Sequence, residues 1–195
     1  MEPAMEPAPA GGGGYTLAVT MLATSTAGMM TMRMEYTLGA DQDNAYVLAG
    51  LAGQPLTMPP AFQLATPFGA DIGGANPAFF AIMADAEFDS WITVGMTDGS
   101  SPGAIAASPG FGIDTWTNTV GFSQEDGAIF WMTPSDGPVG PVVTLMQVTV
   151  PTGSTGTATG VIQGQCLGNA GTGPMAGTSA MCDSGTYQDH VMWAY

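Results

Sequence analysis

Two short segments contain residue types that act as nucleophiles or general acids in hydrolases. Ser101 lies in a G-x-S-x-G pattern at residues 99–103, which is typical of a hydrolase nucleophile at a strand-to-helix turn. The next residue is Pro102, and a proline has no backbone N–H to contribute to an oxyanion hole. Asp183 begins a D-S-G-T segment, which aspartic proteases use in pairs, but the sequence contains one copy. We therefore interpret both segments as turns.

Asp189 and His190 are adjacent near the end of the sequence and, together with Ser184, provide the residue types of a Ser-His-Asp triad. Residues that are neighbours in sequence rarely point at one another with the geometry that a triad requires. We therefore expect Asp189 and His190 to be surface residues at a chain end.

Paired carboxylates are the next candidates for catalysis. Glu87 and Asp89 are two residues apart in a predicted strand, so their side chains should lie on the same face. A glycosidase needs two such groups on either side of a sugar ring, and no second feature places these two across a cleft. A hydrolase that uses Glu87 and Asp89, or Asp183, stays as an alternative.

A cluster of oxygen-bearing side chains could hold a cation. Asp41, Asp43 and Asn44 follow one another closely in a predicted loop, and calcium prefers six to eight oxygen ligands. The segment lacks the central glycine and the terminal glutamate of an EF-hand. The sequence therefore allows a calcium site here, with an Asx-rich turn as the alternative.

The four tryptophans raise the possibility of sugar binding through stacked rings. Trp91 and Trp131 lie in strongly apolar segments and are expected in the core. Trp116 follows Asp114 and Thr115, so it is the best candidate for an exposed ring that contacts a glycan or another ligand. A carbohydrate-binding module is therefore the first alternative function.

The charge balance excludes several classes of function. The chain has 16 acidic residues and one basic residue, Arg33, for a formal net charge of -15, and its only histidine is His190. Binding to nucleic acid or to an acidic membrane surface depends on clusters of Lys and Arg. No run of 18 apolar residues is present, so no membrane-spanning segment is expected.

The two cysteines, Cys166 and Cys182, enclose a segment rich in Gly, Thr and Ser. Little apolar content would hold this loop, and a disulfide would contribute about 3 kcal/mol to its stability. Two buried thiols are the alternative. A disulfide implies an oxidising compartment, so the chain is expected to be extracellular or on a cell surface.

Alternation of apolar and polar residues predicts many short strands. In the segment 30–38 every second residue is apolar, while Thr31, Arg33, Glu35 and Thr37 lie between them and are expected to face outward. The other predicted strands are 15–22, 45–51, 79–83, 88–96, 128–132, 142–150 and 155–163.

The 29 glycines and 15 prolines argue against helices, and only the segment 187–195 has a pattern that could also be helical. We predict an all-β fold, a single β-sandwich or jelly-roll-like domain over residues 15–195. Residues 1–14 repeat Met-Glu-Pro-Ala and end in four glycines, which predicts a linker or arm.

Part of the sequence, about 86–164, resembles a known module. The matching segments are 88–95 (F-D-S-W-I-T-V-G), 97–99 (T-D-G), 112–114 (G-I-D), 127–132 (G-A-I-F-W-M) and 147–151 (Q-V-T-V-P) with Gly153. They are similar to the cohesin-like β-sandwich modules of large secreted surface proteins of algae and some bacteria. The resemblance implies a role in a surface, wall or matrix and carries over no catalytic residue.

Together these features predict a non-catalytic, self-associating structural module. No cofactor is expected, other than a calcium ion if the candidate site binds one. The expected partners are other copies of the chain or neighbouring modules, with a glycan as the alternative ligand. Lysine on edge strands is a common guard against edge-to-edge pairing, and this chain has none.

Overall fold

Antiparallel strands form most of the regular structure in the computed structural model, which describes residues 14–99, 101–167 and 185–195. The strands are β1 (Thr16–Met21), β2 (Met29–Thr37), β3 (Val47–Gly50), β4 (Leu56–Met58), β5 (Trp91–Ile92), β6 (Ile105–Ala107), β7 (Phe122–Gln124), β8 (Gly127–Trp131), β9 (Val142–Pro151), β10 (Thr157–Gln165) and β11 (Thr186–Ala194). Four short 3-10 helices lie between them, at Pro77–Phe79, Ala84–Phe88, Ile113–Thr115 and Pro134–Asp136.

The strands form two sheets packed face to face. The smaller sheet has the order β1-β2-β9-β5. The larger sheet has the order β6-β8-β3-β10-β4-β7, and β11 pairs with β10. Because β11 pairs with β10 along its whole length, β3 and β4 share the opposite edge of β10. The predicted all-β sandwich is confirmed.

The core between the sheets comes from the alternation of residues along each strand. On β2, Met32, Met34 and Tyr36 are fully buried and face the larger sheet, as the period of two predicts. On β11, Tyr187, Asp189, Val191 and Trp193 are buried and the residues between them are exposed. The Trp193 indole N–H donates to the Glu35 carbonyl oxygen at 3.0 Å, which joins the two sheets directly.

The predicted strands within 15–51 and 128–163 are confirmed as β1, β2, β3, β8, β9 and β10. In the segment 187–195, residues 187–194 belong to the strand β11 and do not form a helix. The predicted linker, residues 1–14, lies outside the described residues apart from Gly14.

Of the other two strand predictions, that for 79–83 is wrong and that for 88–96 is confirmed only in part. The segment 79–83 follows a 3-10 helix that begins at Pro77 and is capped by the Asn76 side chain, so it forms turns. In the segment 88–96 only Trp91–Ile92 is a strand. The chain still follows β9 as far as Gly95, whose N–H donates to the Thr144 carbonyl oxygen, but Gly95 has a φ of 80°, which ends regular pairing.

A long segment, residues 62–90, leads into β5 and covers part of the outer face of the smaller sheet; we call it the crossing segment. The Phe62 N–H donates to the Thr149 carbonyl oxygen at 2.8 Å. The Thr149 hydroxyl donates to the Phe88 carbonyl oxygen at 2.6 Å, and Thr31 is fully buried beside Thr149. The expectation that Thr31 faces outward to solvent is therefore wrong, because the outer face is covered at this position, whereas Arg33, Glu35 and Thr37 on the same face of β2 are half-buried.

Candidate functional site

The outer edge of β1 is the most open backbone edge of the smaller sheet. The strand lies at the end of the order β1-β2-β9-β5, so no strand in the described part of the chain pairs with it on that side. It pairs with β2 over six residues, from Thr16 opposite Thr37 to Met21 opposite Met32. This pairing makes β1 a candidate site for a further strand.

The hydrogen bonds of β1 show which backbone groups point outward. The Leu22 N–H donates to the Thr31 carbonyl oxygen at 2.9 Å, so this pair is one of the hydrogen-bonded pairs of the ladder. Such pairs alternate along an antiparallel ladder. The N–H and C=O groups of Leu17, Val19 and Met21 therefore point away from β2.

The segment around β1 carries no negative charge in an otherwise acidic chain. Residues 7–34 contain no Asp or Glu, although the chain has 16 of them. The side chains along β1 include no charged residue and no proline. Proline, charge and lysine are the features that usually protect an exposed edge, and β1 has none of them.

The edge of β11 is covered in part. The Tyr15 hydroxyl donates to the His190 carbonyl oxygen at 3.2 Å, and Tyr15 stacks on Tyr36 with ring centroids 5.0 Å apart. The chain that leads into β1 thus occupies part of the β11 edge. The exposed position expected for His190 is confirmed.

Asp189 is not a surface residue, contrary to the expectation, because its side chain is 1% exposed. Its Oδ2 contacts the Tyr36 hydroxyl and accepts from Gln42 Nε2 at 2.8 Å. Burial raises the pKa of the Asp189 carboxyl, and the nearby Asp41 adds to this. Ser184, the third residue of the possible triad, lies outside the described residues, while Asp189 and His190 point to opposite faces of β11, one buried and the other exposed.

Glu87 and Asp89 do not share a face. Glu87 is exposed in the 3-10 helix Ala84–Phe88, whereas Asp89 is fully buried just after it. Asp89 Oδ1 accepts from the Leu64 N–H at 2.8 Å and Oδ2 from the Ala70 N–H at 2.7 Å. Burial raises the pKa of Asp89 to about 6. The expected carboxylate pair is therefore wrong, and Asp89 instead holds the crossing segment in place.

Asn44, one of the three candidate calcium ligands, is buried and hydrogen-bonded within the fold. Asn44 is 1% exposed; its Oδ1 accepts from the Gln165 N–H at 2.9 Å and its Nδ2 donates to the Pro134 carbonyl oxygen. The Asn44 amide is thus bonded within the fold on both its oxygen and its nitrogen, and a calcium site at Asp41, Asp43 and Asn44 stays a prediction. Among the described residues, no group of three or more His, Cys, Asp or Glu side chains could hold a metal ion.

Trp116 is buried, so its predicted exposure is wrong. It is 2% exposed and its indole N–H donates to the Pro59 carbonyl oxygen at 2.7 Å. Trp91 and Trp193 are equally buried, and Trp131 donates to the Val94 carbonyl oxygen at 2.8 Å. Trp91, Trp116 and Trp193 therefore offer no open ring face for a sugar, whereas Trp131 is half-buried.

The remaining predictions concern residues at gaps in the described ranges. Cys166 is 5% exposed at the end of β10, but Cys182 lies outside the described residues, so the disulfide stays a prediction. Asp183 lies outside them as well. Ser101 is exposed in a bend, and the chain continues into β6 and not into a helix, so a nucleophile elbow does not form.

None of the helices in the described ranges has the length and apolar character of a membrane span. No family model, curated protein or solved structure matches this chain.

Proposed function

We propose that this chain is a non-catalytic structural module of an extracellular surface, wall or filament protein, and that it associates with other copies of itself through the outer edge of β1. The single observation that carries the proposal is an uncharged edge strand, Thr16–Met21, with no strand on its outer side in the described structure. Unpaired N–H and C=O groups on such an edge are a template for another strand.

The geometry of β1 fits a symmetric pair. A two-fold axis at Val19 places Leu17 of one copy opposite Met21 of the other, with antiparallel strands. All three outward-pointing residues, Leu17, Val19 and Met21, then face outward-pointing residues of the partner. This register gives about six backbone hydrogen bonds and joins the two smaller sheets into one.

The charge distribution also favours this edge over other surfaces. At a net charge of -15, two copies repel each other over most approaches. The β1 edge belongs to the segment 7–34 without Asp or Glu, and the one carboxylate bonded to a β1 side chain in the described structure is that of Glu35, which accepts from the Thr20 hydroxyl at 2.6 Å. Added salt screens the remaining repulsion and should strengthen association, whereas an assembly held by ion pairs would weaken.

The proposal is tested by sedimentation velocity over a wide range of concentration, at low and high salt. The wild-type chain should form dimers or larger species, and more of them at high salt. Met21→Pro removes an outward N–H of an exposed residue without removing a bond to β2, and should yield monomers. Met21→Ala is the matched control, since it shortens the side chain but keeps the N–H, and it should still associate.

Circular dichroism melting curves establish that both variants are folded. A wild-type chain that stays monomeric under all conditions contradicts the proposed function. Association of folded Met21→Pro at the wild-type level contradicts the use of the β1 edge. Loss of association on adding EDTA would assign the contact to bridging cations and would also overturn the edge-pairing mechanism.

A further inference from the structure

The only basic side chain of this protein lies in a pocket and not on an open surface. Arg33 of β2 is opposite Gln147 of β9, and Gln147 is opposite Trp91 of β5. These three residues form one row across the outer face of the smaller sheet. Arg33 Nε donates to Gln147 Oε1 at 3.1 Å, and the guanidinium carbon lies 5.8 Å from the centroid of the Trp91 ring.

Gln147 fixes the orientation of this arginine. It is 1% exposed, and its Nε2 donates to the carbonyl oxygens of Glu87 and Asp89, both at 2.9 Å. These two bonds leave only Oε1 to face Arg33. The guanidinium is therefore held on one side by Gln147 and on another by the Trp91 ring.

The two terminal amino groups of Arg33 bond to no residue in the described part of the chain, and no carboxylate there forms an ion pair with Arg33. This is unexpected in a chain with 16 acidic residues. The guanidinium is half-buried and held in one orientation, and its two terminal amino groups have no protein acceptor among the described residues. It is therefore pre-organised to donate hydrogen bonds to an acceptor group of a ligand.

The space in front of Arg33 is a cavity of about 170 Å³. The buried side chains of Trp91 and Gln147 form its floor, and the exposed residues Glu87 and Asp98 lie at its rim. Pro77 and Phe80 of the crossing segment contribute apolar walls. About six water molecules would fill this volume at liquid density, so it suits one small molecule.

We propose that this pocket binds a small α-amino acid as its zwitterion. The planar fork of Arg33 matches a carboxylate with two parallel hydrogen bonds, and the Glu87 carboxylate at the rim attracts the ammonium group. A phosphate dianion would gain from Arg33 but is repelled by both rim carboxylates. A cation alone would leave Arg33 without an acceptor.

The absence of other arginines gives a direct probe. In a ¹⁵N-labelled sample the chain has one arginine Nε–H signal, which reports on the pocket without ambiguity. Glycine is added in increasing concentration while the shift of this signal is recorded. Acetate and methylammonium, which each carry one of glycine's two charged groups, are titrated in the same way. Glucose and inorganic phosphate are titrated separately as alternative ligands. Glycine should shift the signal in a saturable way and bind about tenfold more tightly than either half, because both charges are then satisfied.

Variants separate the two contacts. Arg33→Lys keeps the charge but loses the fork, and should weaken glycine binding about tenfold or more; binding is then followed by the Trp91 indole signal. Glu87→Gln should weaken glycine binding while leaving acetate binding equal or stronger. Glu125→Gln removes the same charge from an exposed turn and should change neither.

Several outcomes overturn the proposal. Equal affinity for acetate and glycine would show a simple anion site, and preferential binding of phosphate or glucose would assign the pocket to those ligands. No saturable shift with any of these probes would show that Arg33 has no small-ligand role. The result is independent of self-association, since the pocket lies on the outer face of the sheet and not at the β1 edge.

Discussion

The hydroxyl group of Tyr36 on β2 and the Oδ2 atom of Asp189 on β11 form a hydrogen bond that joins the two sheets. Gln42 completes the cluster, because its Oε1 accepts from the Tyr36 hydroxyl at 2.7 Å and its Nε2 donates to Asp189 Oδ2. All three side chains are almost fully buried. Asp189 Oδ1 has no hydrogen-bond partner among the described residues.

Counting hydrogens favours a protonated Asp189. The Tyr36 hydroxyl has one hydrogen and two acceptors within reach, Gln42 Oε1 and Asp189 Oδ2. If Asp189 carries a proton, it donates to the Tyr36 oxygen, and Tyr36 is free to donate to Gln42. The titratable groups that face Asp189 are Tyr36, Tyr187 and Asp41, none of which supplies a positive charge. A protonated carboxyl in these surroundings accords with the raised pKa of Asp189, whose main cause is burial.

The first prediction concerns stability against pH. The pKa values of Asp89 and Asp189 are higher in the folded state than in the unfolded chain, so the folded protein binds these protons more tightly. The free energy of unfolding should then be greatest at low pH and fall as the pH rises. For Asp89, the rise from 3.8 to about 6 corresponds to about 3 kcal/mol, lost between about pH 4 and 6. Urea unfolding across this range measures it.

Two controls isolate the buried groups. Surface carboxylates also repel one another as the pH rises, but added salt screens that effect, so the decrease should persist at high salt. Asp189→Asn removes one titrating group and should make the profile flatter. A stability that increases with pH, or an unchanged slope in Asp189→Asn, would contradict these assignments.

The second prediction concerns the anchor of the crossing segment. Asp89→Ala removes the acceptor for the Leu64 and Ala70 N–H groups, and each buried donor left without a partner costs about 1–3 kcal/mol. We expect a loss of about 2–5 kcal/mol in urea unfolding at neutral pH, with faster hydrogen exchange at Leu64 and Ala70. Asp126→Ala, an exposed aspartate in a turn, should change stability by less than about 0.5 kcal/mol. Equal stability of the two variants would contradict the anchoring role.

The sequence predicted the long strands because their side chains alternate without interruption. The period of two in 30–38 identified the buried face of β2, which includes Met32, Met34 and Tyr36. The same pattern could not predict the crossing segment. The apolar residues at 79–83 and 88–92 are compatible with a strand, but they are equally compatible with a segment that packs against the face of a sheet. Burial of the outer face then changed the environment of Arg33 and Asp89. Trp116 was misjudged because a polar neighbour such as Asp114 does not exclude a buried ring.

The sequence of β11 contains an alternating pattern that could have predicted a strand there. Tyr187, Asp189, Val191 and Trp193 alternate with more exposed residues, but an aspartate at a core position interrupts the apolar pattern. The Tyr36 and Gln42 partners that make this tolerable are about 150 residues away in sequence, with separations of 153 and 147. The contact of Asp189 with Tyr36 and Gln42 depends on which strands the fold brings together. A pattern of neighbouring residues in the sequence carries no information about that.

The third prediction compares two glycines. Gly164 on β10 has no room for a side chain, because an added Cβ would overlap the Asn44 carbonyl oxygen and the Tyr187 ring. The Tyr187 hydroxyl donates to that same carbonyl oxygen at 2.8 Å, so neither group can move without loss of a buried bond. Gly164→Ala should therefore reduce the free energy of unfolding by about 3 kcal/mol or more, as overpacking does at rigid sites. Gly112→Ala is the control, since Gly112 has a φ of -85° and open space around it, and it should be neutral or slightly stabilising. Both variants are measured by urea unfolding, and a Gly164→Ala protein as stable as Gly112→Ala would show that Tyr187 and Asn44 are not held together as described.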